Sequence, residues 1–238
     1  MFCKLKKFNR QFASIYVAIF SLLLASTCFA KEYLSPEEIE RWFNSDDELP
    51  INKVNEGDLT FLTEKSKDNL FYSSITIFIT QNSIQTGWVN ISQCYKNLDK
   101  IQKTVIVFRK NLIKNIAVTS LKNIDKSSVL DQHKLVLLNV KEDAELCLNA
   151  TVRNFYQNED QSFSMVNGPY HRKFLDGYYP YHLNLNIHFP KTLQFLNSLP
   201  KSQVGFQITQ NTNKLSVNSI FEGRLKTNFR FKLKTAID

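Results

Sequence analysis

The feature that most constrains the fold is a succession of about a dozen short runs in which apolar and polar residues alternate. In "YHLNLNIHF", residues 181–189, the apolar side chains Leu183, Leu185 and Ile187 alternate with His182 and three other polar residues. Successive side chains of a strand point to opposite faces, so this run predicts a half-buried strand with a wet polar face. Similar runs include "NLFYSSITIFITQ", "SIQTGWVNISQCY", "TVIVF", "NIAVTSL", "KLVLLNV", "AELCLNATVRNF", "QSFSMV", "VGFQITQ", "KLSVNSIF" and "LKTNFRFKL". The pattern predicts an all-β fold, an antiparallel β-sandwich built as one large or two packed halves.

Helix signals are confined to the start of the chain, where "KEYLSPEEIERWF" begins. Ser35 can cap a helix, Pro36 suits its first turn, and Glu38 completes a capping box. We expect a short N-terminal amphipathic helix, which either braces the main domain or is presented to a partner as an arm. No later segment predicts a helix long enough for a βαβ crossover, which disfavours a parallel, doubly wound sheet.

The predicted organisation has four parts. Residues 1–30 form a signal peptide and 31–56 the N-terminal helix with an acidic linker. Residues 57–158 form a β-sandwich half that contains a disulfide, and 159–238 form a second β half. The polar stretch "YQNEDQS" marks the division between the halves. The second half is short for a domain with a hydrophobic core of its own, so we expect the two halves to share an interface.

The first thirty residues have the three parts of a secretory signal peptide. A basic start, "MFCKLKKFNR", precedes an apolar run from Ala13 to Ala25 and a small-x-small end at Cys28-Phe29-Ala30. The apolar run is shorter than the roughly 20 residues that span a bilayer well. We predict cleavage after Ala30 and a periplasmic or secreted protein without a transmembrane segment. A retained anchor and a lipid anchor at Cys28 are the alternatives.

The charge balance argues against nucleic acid as a partner. The chain has 30 basic and 22 acidic residues, and loss of the predicted signal leaves 26 basic residues and a net charge of +4. Lysines are scattered singly through the chain, whereas nucleic-acid binding needs basic residues concentrated on one face. This charge favours solubility and mild attraction to an anionic envelope surface.

Two cysteines, Cys94 and Cys147, follow the predicted signal. An isolated pair in an oxidising compartment predicts a disulfide bond. The alternative is a catalytic cysteine, which needs a neighbouring base to keep its thiolate. Neither cysteine has a histidine within ten residues, so the sequence favours the disulfide.

The densest motif is "NGPYHRKFLDGYYPYHL", residues 167–183. Its turns and tyrosines predict either a structural corner with buried tyrosine rings or an exposed aromatic platform for a glycan or an extended peptide. The candidate platform residues are Tyr170, His171, Arg172, Lys173, Asp176, Tyr178, Tyr179 and Tyr181.

The same stretch offers little for a catalytic or metal site. His182 and His188 share a strand face, but six strand residues separate them by about 20 Å, too far for a shared zinc ion. His171 and Asp176 have no nearby nucleophile or second carboxylate, and the chain has no G-x-S-x-G. We therefore predict no metal, no cofactor and no catalytic residues.

This motif also carries a resemblance to a known family. Together with "VNEGDLTFL", "GWVNISQCYKNLD" and "FEGRLKTNFRF", the motif is similar to a family of uncharacterised exported proteins of proteobacteria. Its most specific part is R-x-F-L-D-G-Y-Y-P, matched by Arg172 to Pro180. The resemblance implies a bacterial envelope setting and a Cys94–Cys147 pairing, and it implies no activity.

The sequence thus predicts an exported, non-enzymatic β-sandwich protein that binds an envelope component, a peptide or a glycan. One alternative is an assembly factor that offers an edge strand to a partner, with "LKTNFRFKL" as the expected edge. A periplasmic hydrolase is the other alternative. It would require His171, Asp176 and a further acid or cysteine to converge in a pocket.

Overall fold

A computed structural model of the protein describes residues 58–63, 70–174 and 177–234, all within one compact unit, Glu40–Asp238. The predicted signal peptide, the N-terminal helix and Asp176 lie outside the described residues. The described part is mostly β-strand, in sheets that are almost entirely antiparallel, which confirms the predicted mostly-β, sandwich-like fold.

The larger sheet has nine strands. They are β1 (Thr60–Leu62), β2 (Tyr72–Phe78), β3 (Trp88–Leu98), β4 (Ile101–Val107), β5 (Ile113–Leu130), β6 (Lys134–Arg153), β11 (Tyr181–His188), β13 (Phe206–Asn211) and β14 (Lys214–Glu222). The order along the sheet is β1-β14-β11-β2-β3-β6-β4, with β13 beside β14 and β5 beside β6. Strands β2 and β11 pair in parallel, and the other pairs are antiparallel.

The smaller sheet has four strands in the order β12-β15-β8-β7. They are β7 (Phe155–Gln157), β8 (Phe163–Tyr170), β12 (Leu193–Leu199) and β15 (Leu225–Leu233). A separate two-stranded ribbon consists of β9 (Lys173–Phe174) and β10 (Gly177–Tyr178). The expected division near residue 158 does not separate the sheets, because strands from both sides of it pair in the larger sheet.

Strand β15 is not an edge strand. It lies between β12 and β8, so the prediction that "LKTNFRFKL" offers a free edge is wrong. Its charged residues alternate with the buried Phe229 and Phe231 because they occupy the outer face of a central strand. Arg230, for example, forms an ion pair with Asp160 at 2.6 Å on that face.

Strands β2 and β3 form an antiparallel hairpin, and a short helix joins them where Gln81-Asn82-Ser83 predicts a turn. The N-cap of helix α1 (Gln81–Thr86) is Thr80, whose side chain accepts from the Ser83 amide in a capping box. It ends at Gly87, whose φ of 76° is the left-handed conformation that glycine adopts without strain. A Cβ at Gly87 would lie 2.7 Å from the Phe155 carbonyl oxygen, so the position also requires a small residue.

The long strand β6 bends back on itself. The Phe108 amide donates to the His133 carbonyl at one end, and the Arg153 amide donates to the Leu112 carbonyl at the other. The chain from Phe108 to Leu112 can span at most about 15 Å, so the two ends of β6 lie close together. A straight strand of the length of β6 would span about 65 Å, so β6 must bend. Irregular backbone marks the bend, with Asn139 at a φ of 52° and further register shifts in the partner strands.

The bend and the two sheets enclose one apolar cluster. Leu135 and Leu137 from the first half of β6 belong to the same cluster as Leu146 and Leu148 from its second half. Phenylalanines from the smaller sheet complete the cluster. Phe231, for example, packs against the rings of Phe155, Phe189 and Phe195. The core therefore lies between the layers, as a sandwich requires.

The predicted disulfide is present. Cys94 and Cys147 are directly opposite each other on β3 and β6, with Cα atoms 4.1 Å apart. The bond links residues 53 positions apart in sequence, so it constrains a long loop of the unfolded chain.

Candidate functional site

The tyrosine-rich segment divides into a buried part and a surface part. Tyr181 is 5% exposed, stacks on Phe221 at 5.3 Å and meets Phe71 edge-on at 4.9 Å. Tyr170 lies beside it, with ring centroids 6.2 Å apart. These two rings therefore help to close the end of the core, as in the corner interpretation, and Tyr181 is not part of an exposed platform.

The hydroxyls of the tyrosines at this end of the core stay protonated at neutral pH. Burial raises the pKa of Tyr181 to about 12, against a smaller opposite effect of its hydrogen bond with Ser73. Burial and the neighbouring tyrosines also raise the pKa of Tyr95 and of Tyr170. All three groups stay protonated at physiological pH, which fits a structural role rather than acid–base chemistry.

Arg172 attaches the ribbon to the body of the protein. Its Nη2 lies 2.5 Å from Asp99 Oδ1 and its Nε 3.4 Å from Oδ2, a two-point ion pair. The guanidinium carbon also lies within 6 Å of the ring centroids of Phe71, Phe174 and Tyr179. An arginine so engaged holds neighbouring elements together and has little capacity left for a ligand.

The surface part of the predicted platform is small. Tyr179 is 37% exposed and packs edge-on against Phe174, while the Lys173 ammonium lies 5.2 Å from the Tyr178 ring centroid. His171 is exposed, yet partial loss of water around its ring lowers its pKa, with repulsion from Arg224 and Lys173 adding to the effect. The His171 and Tyr178 ring centroids lie 6.3 Å apart, so these residues share the ribbon end of the protein.

A second surface lies in the middle of the larger sheet. Five adjacent strands, β14, β11, β2, β3 and β6, turn short neutral polar side chains to the face opposite the core. We call this surface the polar band, and it consists of Ser74, Thr76, Asn90, Ser92, Asn149, Thr151, Asn184, Asn186, Ser216 and Asn218. Band residues on neighbouring strands lie directly opposite each other and form rows across the sheet. In one row Ser216 is opposite Asn186, Asn186 opposite Thr76 and Thr76 opposite Ser92.

The sequence alone indicated only one strand of the polar band. The wet face of β11 was predicted, with Asn184 and Asn186 on it, but its neighbours were not identified. The available signal was that outward positions of four other strands carry Ser, Thr or Asn where Lys and Glu would be ordinary. Placing them side by side required the strand order, in which the parallel pairing of β2 with β11 is a long-range contact.

Side-chain hydrogen bonds connect residues of the polar band and leave some of their donors and acceptors available for a ligand. The Asn186 side-chain NH₂ donates to Asn184 Oδ1 at 2.8 Å, and Ser216 Oγ donates to Asn186 Oδ1 at 2.9 Å. An amide offers two donors and an acceptor with two lone pairs, so these contacts do not use all of them. Four strand spacings of about 4.8 Å make the band about 19 Å long.

Larger side chains border the polar band on both sides. Phe78 is 42% exposed and stacks on His188, with centroids 5.2 Å apart and planes 16° apart. On the other side Tyr72 meets His182 edge-on at 4.9 Å. Short side chains between taller rings make a shallow trough that crosses the strands, with aromatic surface at its borders.

These surfaces offer hydrogen-bonding groups and aromatic rings. Among the described residues no group of three or more His, Cys, Asp or Glu side chains could hold a metal ion. The described part of the chain also has no helix of the length and hydropathy needed to cross a membrane. The polar band supplies neutral donors, neutral acceptors and ring faces, which suit a polyhydroxylated ligand.

Comparison with known proteins adds little. No family model matches the chain, and no curated protein matches it. Among solved structures, a mutant M1 zinc metallopeptidase from Deinococcus radiodurans bound to a Tyr-Ser-Ala substrate is 11% identical, with a TM-score of 0.38 over 68% of this chain. The M1 zinc metallopeptidase without that mutation is 12% identical, with a TM-score of 0.36 over the same share. Both matches cover 41% of the metallopeptidase chain.

Proposed function

We propose that this protein is an exported, non-enzymatic glycan-binding protein of the bacterial envelope and that the polar band holds the glycan. The observation that carries the proposal is the run of ten neutral hydrogen-bonding side chains across five strands, bordered by the Phe78–His188 and Tyr72–His182 ring pairs. Export is supported by the predicted signal peptide and by the disulfide, a bond typical of oxidising compartments.

A glycan suits the polar band better than a peptide does. Extended peptides usually bind at a free strand edge, where they pair with backbone groups. The strands of the band are paired on both sides, so their backbone groups are already used. What remains are side-chain amides and hydroxyls, each of which can donate and accept, and sugar hydroxyls do the same.

Neutrality of the band also selects among ligands. Its ten residues carry no charge, and the bordering Lys96 and Glu145 pair with each other at 3.5 Å. Two further lysines lie at the ends of the band: Lys114, opposite Thr151 and 4.2 Å from the Trp88 ring centroid, and Lys214, opposite His188. Phosphate-rich or strongly anionic ligands are ordinarily bound by converging arginine and lysine side chains. The ligand class that fits is therefore a neutral, linear oligosaccharide or polysaccharide.

The test is a screen of the mature protein against an array of bacterial envelope glycans, followed by calorimetry with the strongest ligand. The double variant Asn184→Ala/Asn186→Ala should weaken binding by about tenfold or more, because two amides with several hydrogen bonds of about 1 kcal/mol each are lost. A Phe78→Ala variant should also weaken it by removing the exposed ring.

Two further variants separate the candidate surfaces. Asn197→Ala removes an exposed amide from β12 of the smaller sheet and should leave binding unchanged. Tyr178→Ala/Tyr179→Ala removes the surface part of the predicted platform. If that variant abolishes binding while the Asn184/Asn186 variant binds normally, the ligand site is the ribbon and the polar band is ordinary solvated sheet.

A further inference from the structure

A second unusual surface lies on the folded-back half of the larger sheet. It is formed by β4, the 134–140 part of β6 and the 124–130 part of β5, which pair side by side. Its outer side carries Val105, 37% exposed, and Leu130, 50% exposed, while Ile101, at the start of β4 opposite the core residue Val140, is 46% exposed. We call this surface the apolar patch, and it also includes the half-buried Val107 and Leu138 and the buried Val136, which is 7% exposed between β4 and β5.

The strand register shows that the patch faces outward. Val105, Val136 and Ser128 are opposite one another and share one face. The alternate positions Leu135 and Leu137 are fully buried in the core, so they occupy the other face. An outward strand face is ordinarily polar, and apolar side chains clustered on it, with Val105 and Leu130 well exposed, indicate an interaction site.

Lysines frame the apolar patch. Leu138 is flanked in register by Lys103 on β4 and Lys126 on β5, and both lysines are exposed. The three strand segments contain a single acid, Asp125, whose carboxylate pairs with Lys141 at 2.6 Å. The tip of the hairpin adds Asp131, which lies 3.7 Å from the ammonium of Lys134. The surface is therefore apolar at its centre and positive around it.

We propose that the apolar patch docks onto the surface of an anionic lipid bilayer. Aliphatic side chains such as Ile101 and Leu130 would enter the headgroup boundary, while Lys103 and Lys126 meet lipid phosphates. A second copy of the chain is the weaker fit, because self-pairing of this face would place lysines opposite lysines and cost repulsion. The surface lies on a different part of the sheet from the polar band, so the inference does not depend on glycan binding.

The test is co-sedimentation of the mature protein with vesicles. Vesicles of phosphatidylcholine containing about 30% phosphatidylglycerol should bind the protein at least several-fold more strongly than pure phosphatidylcholine vesicles. Raising salt from about 0.05 to about 0.5 M should reverse most of that difference, since the lysine contribution is screened. The variant Lys103→Ala/Lys126→Ala should lose about fivefold per lysine.

Apolar variants complete the test. Ile101→Ser/Leu130→Ser should lower vesicle binding by about tenfold, whereas Leu199→Ser, at a residue 62% exposed on the smaller sheet, should not change it. Thermal unfolding of each variant identifies any that fail to fold. If the apolar variant fails to fold, vesicle binding by Lys103→Ala/Lys126→Ala tests the proposal. Equal binding to neutral vesicles, no binding to either, or equal loss in Leu199→Ser overturns the proposal. So does a concentration-dependent dimer that Ile101→Ser/Leu130→Ser abolishes.

Discussion

Replacing Arg172 with alanine should loosen the β9–β10 ribbon without disturbing either sheet. The side chain is 21% exposed and its partner Asp99 46% exposed, so screening by water limits the ion pair to about 0.5–1 kcal/mol. Cation–π contacts with three rings add about 0.5 kcal/mol or more each, and such terms are not fully additive. We expect the free energy of unfolding to fall by about 2 kcal/mol.

Urea unfolding of a double-mutant cycle measures the ion-pair part of this effect. Arg172→Ala, Asp99→Ala and the double variant should give a coupling energy of about 0.5–1 kcal/mol. The Lys141–Asp125 pair is a matched control, because it is as short at 2.6 Å but more exposed, at 61% and 46%, and its coupling should be close to zero. A change below about 0.3 kcal/mol in Arg172→Ala would refute the claim that this residue attaches the ribbon.

Three other changes probe the core, the disulfide and the buried hydroxyls. Phe229→Ala removes a fully buried ring and should cost about 3–5 kcal/mol in urea unfolding, whereas Phe174→Ala, at a ring 42% exposed, should cost far less. Breaking the disulfide, which closes a 53-residue separation, should lower stability by about 4 kcal/mol, and an unchanged urea midpoint under reductant would contradict this. Raising the pH from about 10 to about 12 should destabilise the fold by about 1.4 kcal/mol per pH unit for each buried tyrosine, because the unfolded chain ionises near pH 10. Burial raises the pKa of Tyr181 to about 12 and also that of Tyr95 and Tyr170, so absorbance titration of the native protein should show three late tyrosines.

Local patterns in the sequence predicted what depends on neighbouring residues. The strict alternation in β11 predicted a strand with Leu183 and Leu185 in the core, and both are fully buried. The pairing of Cys94 with Cys147 was also predicted, since these are the two cysteines that follow the predicted signal peptide. The connection at Gln81-Asn82-Ser83 was expected to be a turn, yet it forms one short helix, with a capping interaction between Thr80 and Ser83 before it and Gly87 after it.

Features that depend on long-range pairing could not be read from the sequence. The charges of β15 indicated an edge, but strand order placed β15 between two partners and turned those charges to solvent. Strand β6 was expected as two strands, and its sharp bend comes from its ends meeting the short Phe108–Leu112 connection. The polar band emerges only when β2 and β11, distant in sequence, lie side by side.

The tyrosine-rich motif illustrates the same limit. Composition alone could not separate a platform from a corner, because a tyrosine ring suits both a core and a surface. The fold buries Tyr181 and engages Arg172 with Asp99, while Tyr179 keeps exposed area. Binding by the surface part of the motif stays a prediction, and the Tyr178→Ala/Tyr179→Ala variant tests it.

The central claim, glycan recognition by the polar band, is tested most directly by NMR of residues 31–238 titrated with the glycan selected on the array. Side-chain amide signals of Asn184, Asn186 and Asn218 should shift progressively and saturate, with smaller shifts at Phe78 and His188. Shifts confined to the β9–β10 ribbon, or spectra unchanged at saturating ligand, would contradict the account.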